Sequence, residues 1–460
     1  MQAAYDYLMG APVITKVMGS LLLLIVANGV TRKLLPSVLA ATVCLAFWCG
    51  HTPLRAGLIA GRRLTSGHDC GLLAVTFLVI WLSLQMSHAG VMTELVTAVR
   101  ARVSHHLSFA LLPAVIGFLP MPGGAIFSAP LVDDCDHDDS LDGIHKTQIN
   151  YWFRHVWEYW WPLYPGVLLA VSHVGLRLPV FMLLQFPLAV LAVAAGGFFI
   201  LRRIPRQPRA PEPAGGRLPL LPLLSPILVV VGGYVLLSIF GPLLQVVAIP
   251  LPGRLYRVVG TLAAWLTVAE LNRFLPLVVG LVAAMWLLQR KRPLPAAQWR
   301  KLMLSKRTLS MLLMVAAVRV YGAFMEARLP AGEVLGEVMR RDFEHWGLPA
   351  LVVIVALPLI SGMSTGLAVG FVGISFPIVV ALLGPDPAYA RLLATTSLAY
   401  GFGYMGMILS PVHICLLVTQ HHFKVSLPRT LLSLVRPAAA VLAGVVAYYV
   451  LIRTVGGWFG

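Results

Sequence analysis

The sequence predicts an all-α polytopic membrane protein with two inverted repeats, about ten transmembrane helices and two re-entrant helical hairpins. Apolar residues make up 58% of the 460 residues and charged residues only 12%, and continuous apolar runs recur along the whole chain. Many of these runs approach the roughly 20 residues needed to cross a hydrocarbon core. Backbone amides must be paired inside lipid, and the runs do not alternate, so helices are expected rather than a barrel.

Hydropathy predicts the spans in order along the chain. They lie near residues 10–30, 34–50, 69–89, 149–172, 179–201, 222–245, 270–289, 308–326, 391–418 and 430–452. Basic residues concentrate in the loops at 202–217, 290–307 and 424–429, which this count puts on one side. By the positive-inside rule, that side is the cytoplasmic face of the cell's inner membrane. The net charge of +17 therefore indicates cytoplasmic loops and no nucleic-acid partner.

An internal repeat divides the chain. Five prolines of the first half stay in register with prolines of the second half: Pro113 with Pro349, Pro120 with Pro358, Pro165 with Pro411, Pro179 with Pro428, and Pro187 with Pro437. The predicted repeats cover residues 1–202 and 219–460, joined by a Pro-rich cytoplasmic linker at 203–218. Five crossings in each half would insert the second copy upside down, as in many secondary transporters.

Each predicted repeat has the same parts. The first contains scaffold helices at 10–90, a hairpin at 107–132 and a broken helix at 149–172; the second contains scaffold helices at 222–326, a hairpin at 347–380 and a broken helix at 391–418. Amphipathic stretches at 92–106 and 332–346 precede the hairpins, and both are expected to lie in the membrane interface.

Gly, Ser and Pro interrupt the apolar runs at the predicted hairpin tips, MPGG at 121–124 and SGMSTG at 361–366. Interrupted helices expose amides that favour anions and carbonyls that suit Na⁺. The residues predicted to bind substrate or ion are Pro122, Gly123, Gly124, Ser128, Ser361, Gly362, Ser364, Thr365, Gly366, Pro411 and His413. The alternatives are that the small residues only permit close helix packing, and that His413 packs through one hydrogen bond.

Three charged residues are candidates for proton transfer or charge balance: Asp133, Asp134 and Arg154. The acidic run at 133–142 matches no metal-ligand spacing, so a solvated loop is favoured over a metal site. Arg154 and Glu158, at i and i+4, predict an ion pair on one helical face at the membrane interface; the alternative is that Arg154 balances an anionic substrate. The five cysteines form no CxxC pair and are expected to be packing residues.

Three motifs carry a resemblance to a known family: MPGGAIFSAPLV at 121–132, INYWFRHVWEYWWPLYPG at 149–166 and GYMGMILSPVHICLLVTQ at 403–420. They resemble the membrane family called Domain of Unknown Function 401, which is grouped with the ion transporter superfamily. The resemblance implies a scaffold domain that dimerises, a transport domain that moves as an elevator, and Na⁺ or H⁺ coupling. The Ser-Asn-Thr hairpin tips of sodium–carboxylate carriers are replaced here, so their substrate and Na⁺ sites do not transfer to this chain.

Together these observations predict a secondary active transporter of a small, anionic organic solute, coupled to Na⁺ or H⁺ and acting as a homodimer in the lipid bilayer. No metal site or cofactor is expected beyond that coupling ion. Two alternatives stay open: a cation/proton antiporter using Asp133, Asp134 or His413, and a membrane-embedded lipid-handling protein or enzyme. The HExxH and phosphate-loop motifs are missing from the sequence, which argues against an enzyme.

Overall fold

The computed structural model describes residues 10–120, 124–136, 138–204, 218–246, 274–303, 305–347 and 349–458. In the first half the helices are α1 (Val13–Thr31), α2 (Leu34–Trp48), α3 (Pro53–Leu64), α4 (Gly67–His88), α5 (Val91–Arg100), α6 (His105–Gly117), α7 (Ala125–Asp133), α8 (Gly143–Arg154), α9 (Pro165–Val174) and α10 (Leu178–Phe199). In the second half they are α11 (Leu220–Val246), α12 (Leu275–Lys291), α13 (Ala296–Met303), α14 (Lys306–Glu326), α15 (Leu335–His345), α16 (Ala350–Thr365), α17 (Ala368–Leu383), α18 (Tyr389–Ile408), α19 (Ile414–His422) and α20 (Leu427–Trp458).

The chain is a membrane-embedded, multi-pass helical protein. Within the described ranges, six helices are long and apolar enough to cross a membrane, or seven if the bent pair α15 and α16 forms one span. Further apolar helices of 10–17 residues, such as α6, α9 and α17, are too short to count singly. The predicted total of about ten spans includes helices that are broken into such short pieces, and it stays a prediction.

Most predicted spans and both predicted interfacial stretches coincide with helices. The span predicted at 10–30 is α1, the one at 179–201 is α10, and the stretches at 92–106 and 332–346 contain α5 and α15. The sequence interpretation missed α3. This helix is amphipathic, with apolar and basic residues on different faces, and none of its side chains is buried. Most of the predicted linker at 203–218 and part of the span at 270–289 lie outside the described residues.

Contacts divide the chain into two compact units. One consists of Met1–Arg63, Val103–Pro211 and Leu313–Gly460, and the other of Leu64–Arg102 and Glu212–Leu312. Each unit draws on both predicted repeats, so the division by contacts differs from the division by sequence. The repeat boundaries, and the inversion of one repeat relative to the other, stay predictions.

The smaller unit contains α4, α5, α11, α12 and α13. Arg292 donates from both terminal nitrogens to the two carboxylate oxygens of Glu94, at 2.6 Å each. These hydrogen bonds, stronger than the desolvation that opposes them, lower the pKa of Glu94. Gln85 of α4 donates to the carbonyl of Met285 in α12 at 3.1 Å. Polar side chains thus link α12 and its C-terminal cap to α4 and α5 within this unit.

The larger unit contains the acidic run, which folds around a lysine. The ammonium of Lys146 lies 3.2 Å from Asp133, 3.1 Å from Asp136 and 2.7 Å from Asp139. Asp136 also accepts from the amides of Ser140 and Leu141, both at 3.0 Å. Part of the run is therefore an ordered clamp around one ammonium, and the prediction of a simple solvated loop was wrong for Asp136, which is buried.

This clamp makes stability depend on pH. Burial acts to raise the pKa of Asp136, but hydrogen bonds from Leu141, Lys146 and Ser140 outweigh it and lower the pKa below its ordinary value. A carboxyl with a lowered pKa in the folded state stabilises the fold fully above its unfolded pKa of about 3.9. That contribution is lost as the pH falls through the lower, folded-state pKa.

Asp136→Asn is therefore expected to lower the free energy of unfolding by about 2 kcal/mol at pH 7, the scale of hydrogen bonds to a charged group. The difference from the wild type should shrink below about pH 4, as Asp136 of the wild type becomes protonated. Thermal unfolding of the purified protein in detergent measures both effects, with exposed Asp386→Asn as the control. A difference that stays constant with pH would contradict the proposed role of the charge.

Candidate functional site

Of the two predicted hairpin tips, the structure describes the second in full. In the second, α16 continues through Thr365 and ends at Gly366, which adopts the left-handed conformation (φ 62°) and donates to the carbonyl of Gly362 at 2.9 Å. Glycine adopts this conformation without a Cβ penalty and so ends the helix. The predicted interruption at 361–366 was therefore too wide, because α17 starts again at Ala368. In the first, Pro122 and Gly123 lie outside the described residues, and Gly124 precedes α7.

Three of the four hydroxyl groups predicted to bind substrate or ion donate within their own helix. Ser361 donates to the carbonyl of Leu357 at 2.8 Å, Ser364 to that of Ile360 at 2.7 Å, and Thr365 to that of Ser361 at 2.7 Å. A hydroxyl has one proton and two lone pairs, so each oxygen keeps acceptor capacity only. These three side chains suit a cation and do not offer a proton to an anion.

Both predicted broken helices are broken. In the first, α8 ends at Arg154, a 3₁₀ turn covers Val156–Tyr159, and α9 begins at Pro165. In the second, α18 ends at Ile408 and α19 begins at Ile414, after Pro411. Proline suits the first turn of a helix because the missing amide has no intrahelical partner there. Since α8 ends at Arg154, the predicted single helical face for Arg154 and Glu158 was wrong.

The breaks and hairpin ends meet inside the larger unit. The hydroxyl of Tyr164, just before α9, donates to the carbonyl of Gly117 at the end of α6. Ser410, in the second break, donates to the carbonyl of Met363 at 2.6 Å, near the tip of the second hairpin. A Cβ on Gly366 would lie 2.9 Å from the backbone nitrogen of His413, so the backbones are in direct contact there.

The two breaks also meet each other. Nε2 of His155 lies 3.1 Å from Nε2 of His413. The hydroxyl of Tyr151 donates to the carbonyl of Ile408 at 3.0 Å, and that of Tyr400 to the carbonyl of Glu158 at 2.8 Å. Tyrosines thus satisfy carbonyls that the breaks leave without helical partners. His413, predicted as a binding residue, is thus one of a histidine pair.

We name the five buried side chains at this junction the break cluster: Arg154, His155, Glu158, His413 and Cys415. Their exposures are 2%, 1%, 9%, 5% and 5%. Nη1 of Arg154 lies 3.6 Å from Sγ of Cys415, and Oε1 of Glu158 lies 3.8 Å from Nε2 of His155. The cluster lies in the protein interior, and the placement of Arg154 and Glu158 at the depth of the membrane interface stays a prediction.

A hydrogen bond fixes the tautomer of one histidine. Nδ1 of His155 lies 2.6 Å from the carbonyl oxygen of Tyr151, which can only accept. Nδ1 therefore carries the proton in the neutral ring, and Nε2 presents its lone pair toward His413 and Cys415. In the pair, His413 is the donor through its own Nε2.

Other predicted residues lie outside the break cluster. Ser128 in α7 is fully buried, and its hydroxyl has no hydrogen-bond partner among the described residues. Asp133 pairs with Lys146 and accepts from His422 at 2.8 Å, while Asp134 is exposed. An added Cβ on Gly362 would overlap the carbonyl of Gly403. Gly362 therefore permits close helix packing, the alternative role predicted for the small residues.

Sequence interpretation missed three members of the break cluster. His155 was not singled out, Glu158 was assigned to the interface, and Cys415 was taken for a packing residue. One signal was present in the sequence: His155 and Glu158 directly follow the end of one broken helix, and Cys415 follows His413 by two positions in the other. Polar side chains on both sides of two repeat-related breaks indicate a shared site.

Comparison with known families gives one result. A family model described as a protein of unknown function (DUF401) matches residues 15–260 and 254–452. The chain belongs to this family. The matched residues include both hairpins and the whole break cluster, which confirms the resemblance carried by the three motifs. Membership in the ion transporter superfamily stays a prediction. No curated protein matches the chain.

Proposed function

We propose that this DUF401 protein is a secondary active transporter of a small organic anion, coupled to a cation gradient. The observation that carries the proposal is the meeting of two broken helices and a hairpin tip around buried Arg154. Broken helices at membrane depth expose backbone groups, which proteins tolerate where these groups line a binding cavity. A pure anchor or scaffold has no need of this arrangement.

An anion is the favoured solute because positive charge gathers at the junction. Helices α9, α17 and α19 all begin there: a Cβ on Gly166 of α9 would lie 2.5 Å from the Cβ of Ala368 in α17, and His413 precedes α19. The first amides of a helix lack intrahelical partners, and the helix dipole is positive at this end. Arg154 adds a full charge. A carboxylate is an anion that a guanidinium binds through two parallel hydrogen bonds.

Protons are the favoured coupling ion. His413 and Glu158 both lie beside His155, and all three are titratable groups at the break, where a bound anion would favour their protonated forms. The Ser361 and Thr365 oxygens, as acceptors, suit Na⁺ instead, so sodium is the second choice. The same titratable groups support one alternative function, a cation/proton antiporter that needs no organic substrate.

The mechanism we propose for the movement is of the elevator type. The hairpins and broken helices belong to one compact unit, which would carry the solute as a body. Homodimerisation through scaffold helices, and residence in the inner membrane, follow from the resemblance and the charge distribution, and both belong to the proposal. Neither an enzymatic activity nor a cofactor is part of it.

The test uses the purified full-length chain. A thermal-shift screen against mono- and dicarboxylates, at two pH values and with or without Na⁺, should show stabilisation that grows with the concentration of one anion. The same anion should enter proteoliposomes faster under an imposed pH gradient than without one. Proton movement on addition of a metal cation without any organic anion would support the antiporter instead. Anion uptake that is indifferent to pH and Na⁺ for every anion would reject the transporter, and the absence of proton movement on cation addition would reject the antiporter.

A further inference from the structure

We propose that His155, His413 and Cys415 form a binding site for a borderline-soft transition-metal ion, of the kind represented by Zn²⁺. The ion would lie between the two breaks, since His155 follows α8 while His413 and Cys415 lie at the start of α19. The proposal depends on the geometry of these side chains alone. It stands whether or not the chain transports a solute.

The ligand atoms are already close together. One nitrogen of each histidine and Sγ of Cys415 all lie within 4.8 Å of one another, and the three residues are buried. Zinc binds imidazole nitrogen at about 2.0–2.1 Å and thiolate sulfur at about 2.3 Å, so neighbouring ligand atoms in a tetrahedral site lie roughly 3.3–3.6 Å apart. The two Nε2 atoms, at 3.1 Å, are near this separation. Small side-chain rotations bring Sγ into range.

His155 has the environment of a metal-bound histidine. Metal ligands of this type usually donate their other ring nitrogen to a carbonyl or carboxylate, which fixes the tautomer and the ring orientation. Nδ1 of His155 donates to the Tyr151 carbonyl at 2.6 Å. The lone pair of its Nε2 is thereby directed at the point where the other two ligand atoms converge.

The charges around the cluster also suit a metal. Arg154, 3.6 Å from Sγ of Cys415, favours the thiolate that binds metal. Glu158 has an oxygen 3.8 Å from Nε2 of His155 and can supply the fourth ligand. A divalent ion with one thiolate and one carboxylate is neutral overall, which suits a buried site. The guanidinium then remains available to an anion.

Proton balance gives a second signature. Without metal, His413 donates its Nε2 proton to His155. Binding requires that proton to move to Nδ1 of His413, which leaves the ring neutral, and the thiol proton of Cys415 to leave for solvent. Proton release therefore accompanies ion binding, as expected of a site with a thiolate ligand.

A hydrogen bond between two imidazoles accounts for the 3.1 Å contact without any metal. It does not account for a thiol beside them with a guanidinium at its sulfur. Cobalt distinguishes the two explanations, because Co²⁺ in a tetrahedral site with a thiolate ligand gives a sulfur-to-metal charge-transfer band. An imidazole pair alone gives no such band.

The experiment titrates the full-length, chelator-treated protein in detergent with Co²⁺ and then with Zn²⁺. We expect one ion per chain, a charge-transfer band that Zn²⁺ abolishes, and a release of protons that follows ion binding. Cys415→Ser should lose the band, and Cys415→Ser and His413→Gln should each weaken Zn²⁺ binding at least about 100-fold. Cys49→Ser and His51→Gln are the controls, since these side chains are buried to a similar degree, at 5% and 2% exposure.

Three results would overturn the proposal: no stoichiometric binding by the wild type, a band that survives Cys415→Ser, or equal Zn²⁺ affinity of the Cys415 and Cys49 variants. The wild-type spectrum needs no variant, so a folding defect in one of them cannot hide the answer. Metal binding in detergent is also independent of uptake in vesicles, and each proposal can therefore fail without the other.

Discussion

Gly406→Ala is expected to lower the free energy of unfolding by about 3 kcal/mol, the upper range for overpacking a tight contact. An added Cβ on Gly406 of α18 would overlap the carbonyl of Leu359 in α16. Across the same contact, a Cβ on Gly362 would overlap the carbonyl of Gly403. The obstacles are backbone atoms, which cannot rotate away as a side chain can, so the two helices must separate.

Gly197→Ala is the matched control, because nothing lies within 4 Å of a Cβ added at this position of α10. Alanine is the better helix former, so this variant should keep or raise stability, by up to about 1 kcal/mol. Thermal and denaturant unfolding in the same detergent compare the two proteins. Equal stability of the Gly406 and Gly197 variants would contradict the prediction, because it would show that α16 and α18 accommodate the added Cβ without loss of stability. A destabilised Gly406 variant should also displace the second hairpin tip and reduce anion uptake.

Arg154→Gln is expected to reduce anion uptake about 100-fold or more, the scale of removing one partner of a buried charge pair, roughly 2–5 kcal/mol. Arg154 is 2% exposed and interacts electrostatically with Glu158. In the proposed mechanism it is the charge that a bound anion contacts. Glutamine keeps hydrogen-bonding capacity and much of the volume, so the main loss is the positive charge.

The charge pair also supports the fold, and a double variant separates the two roles. Arg154→Gln leaves the buried Glu158 without its positively charged partner. Such a change typically lowers the free energy of unfolding by about 3 kcal/mol. Adding Glu158→Gln removes that carboxylate, so the double variant should regain stability but not uptake. Arg319→Gln is the control, because Arg319 is also 2% exposed but contacts His173 at 3.3 Å in another part of the unit. Uptake restored in the double variant would show that Arg154 does not contact the anion.

Much of the local architecture could be predicted because it depends on neighbouring residues. Pro165 and Pro411 were predicted to lie at helix breaks, and the structure interrupts both helices there. The second hairpin tip was predicted too broadly because its serine and threonine residues do not specify one backbone structure. Serine and threonine permit either a loop or a helix, and they donate to their own helix when nothing else competes. Only Gly366, with its left-handed backbone, was obliged to end α16.

The structure of the acidic run could not be predicted from neighbouring residues. Its composition predicted a solvated loop, but Lys146, at the start of the following helix, collects Asp133, Asp136 and Asp139. A charge run is usually exposed, and nothing in the spacing of the aspartates shows that an ammonium lies at their centre. These contacts depend on the direction in which α8 continues from the loop, and tertiary packing sets that direction.

By itself the sequence determined that this chain is embedded in a membrane as helices, and it determined where the two broken helices are interrupted. Length, hydropathy and proline act locally, through lipid thickness and the pairing of backbone amides. The tertiary structure alone decided which polar side chains share a site. His155 and His413 are 258 positions apart, and Cys415 joins them only through the direction in which α19 begins. Such meetings depend on packing and on rotation about each helix axis, which a linear pattern of apolar residues does not specify.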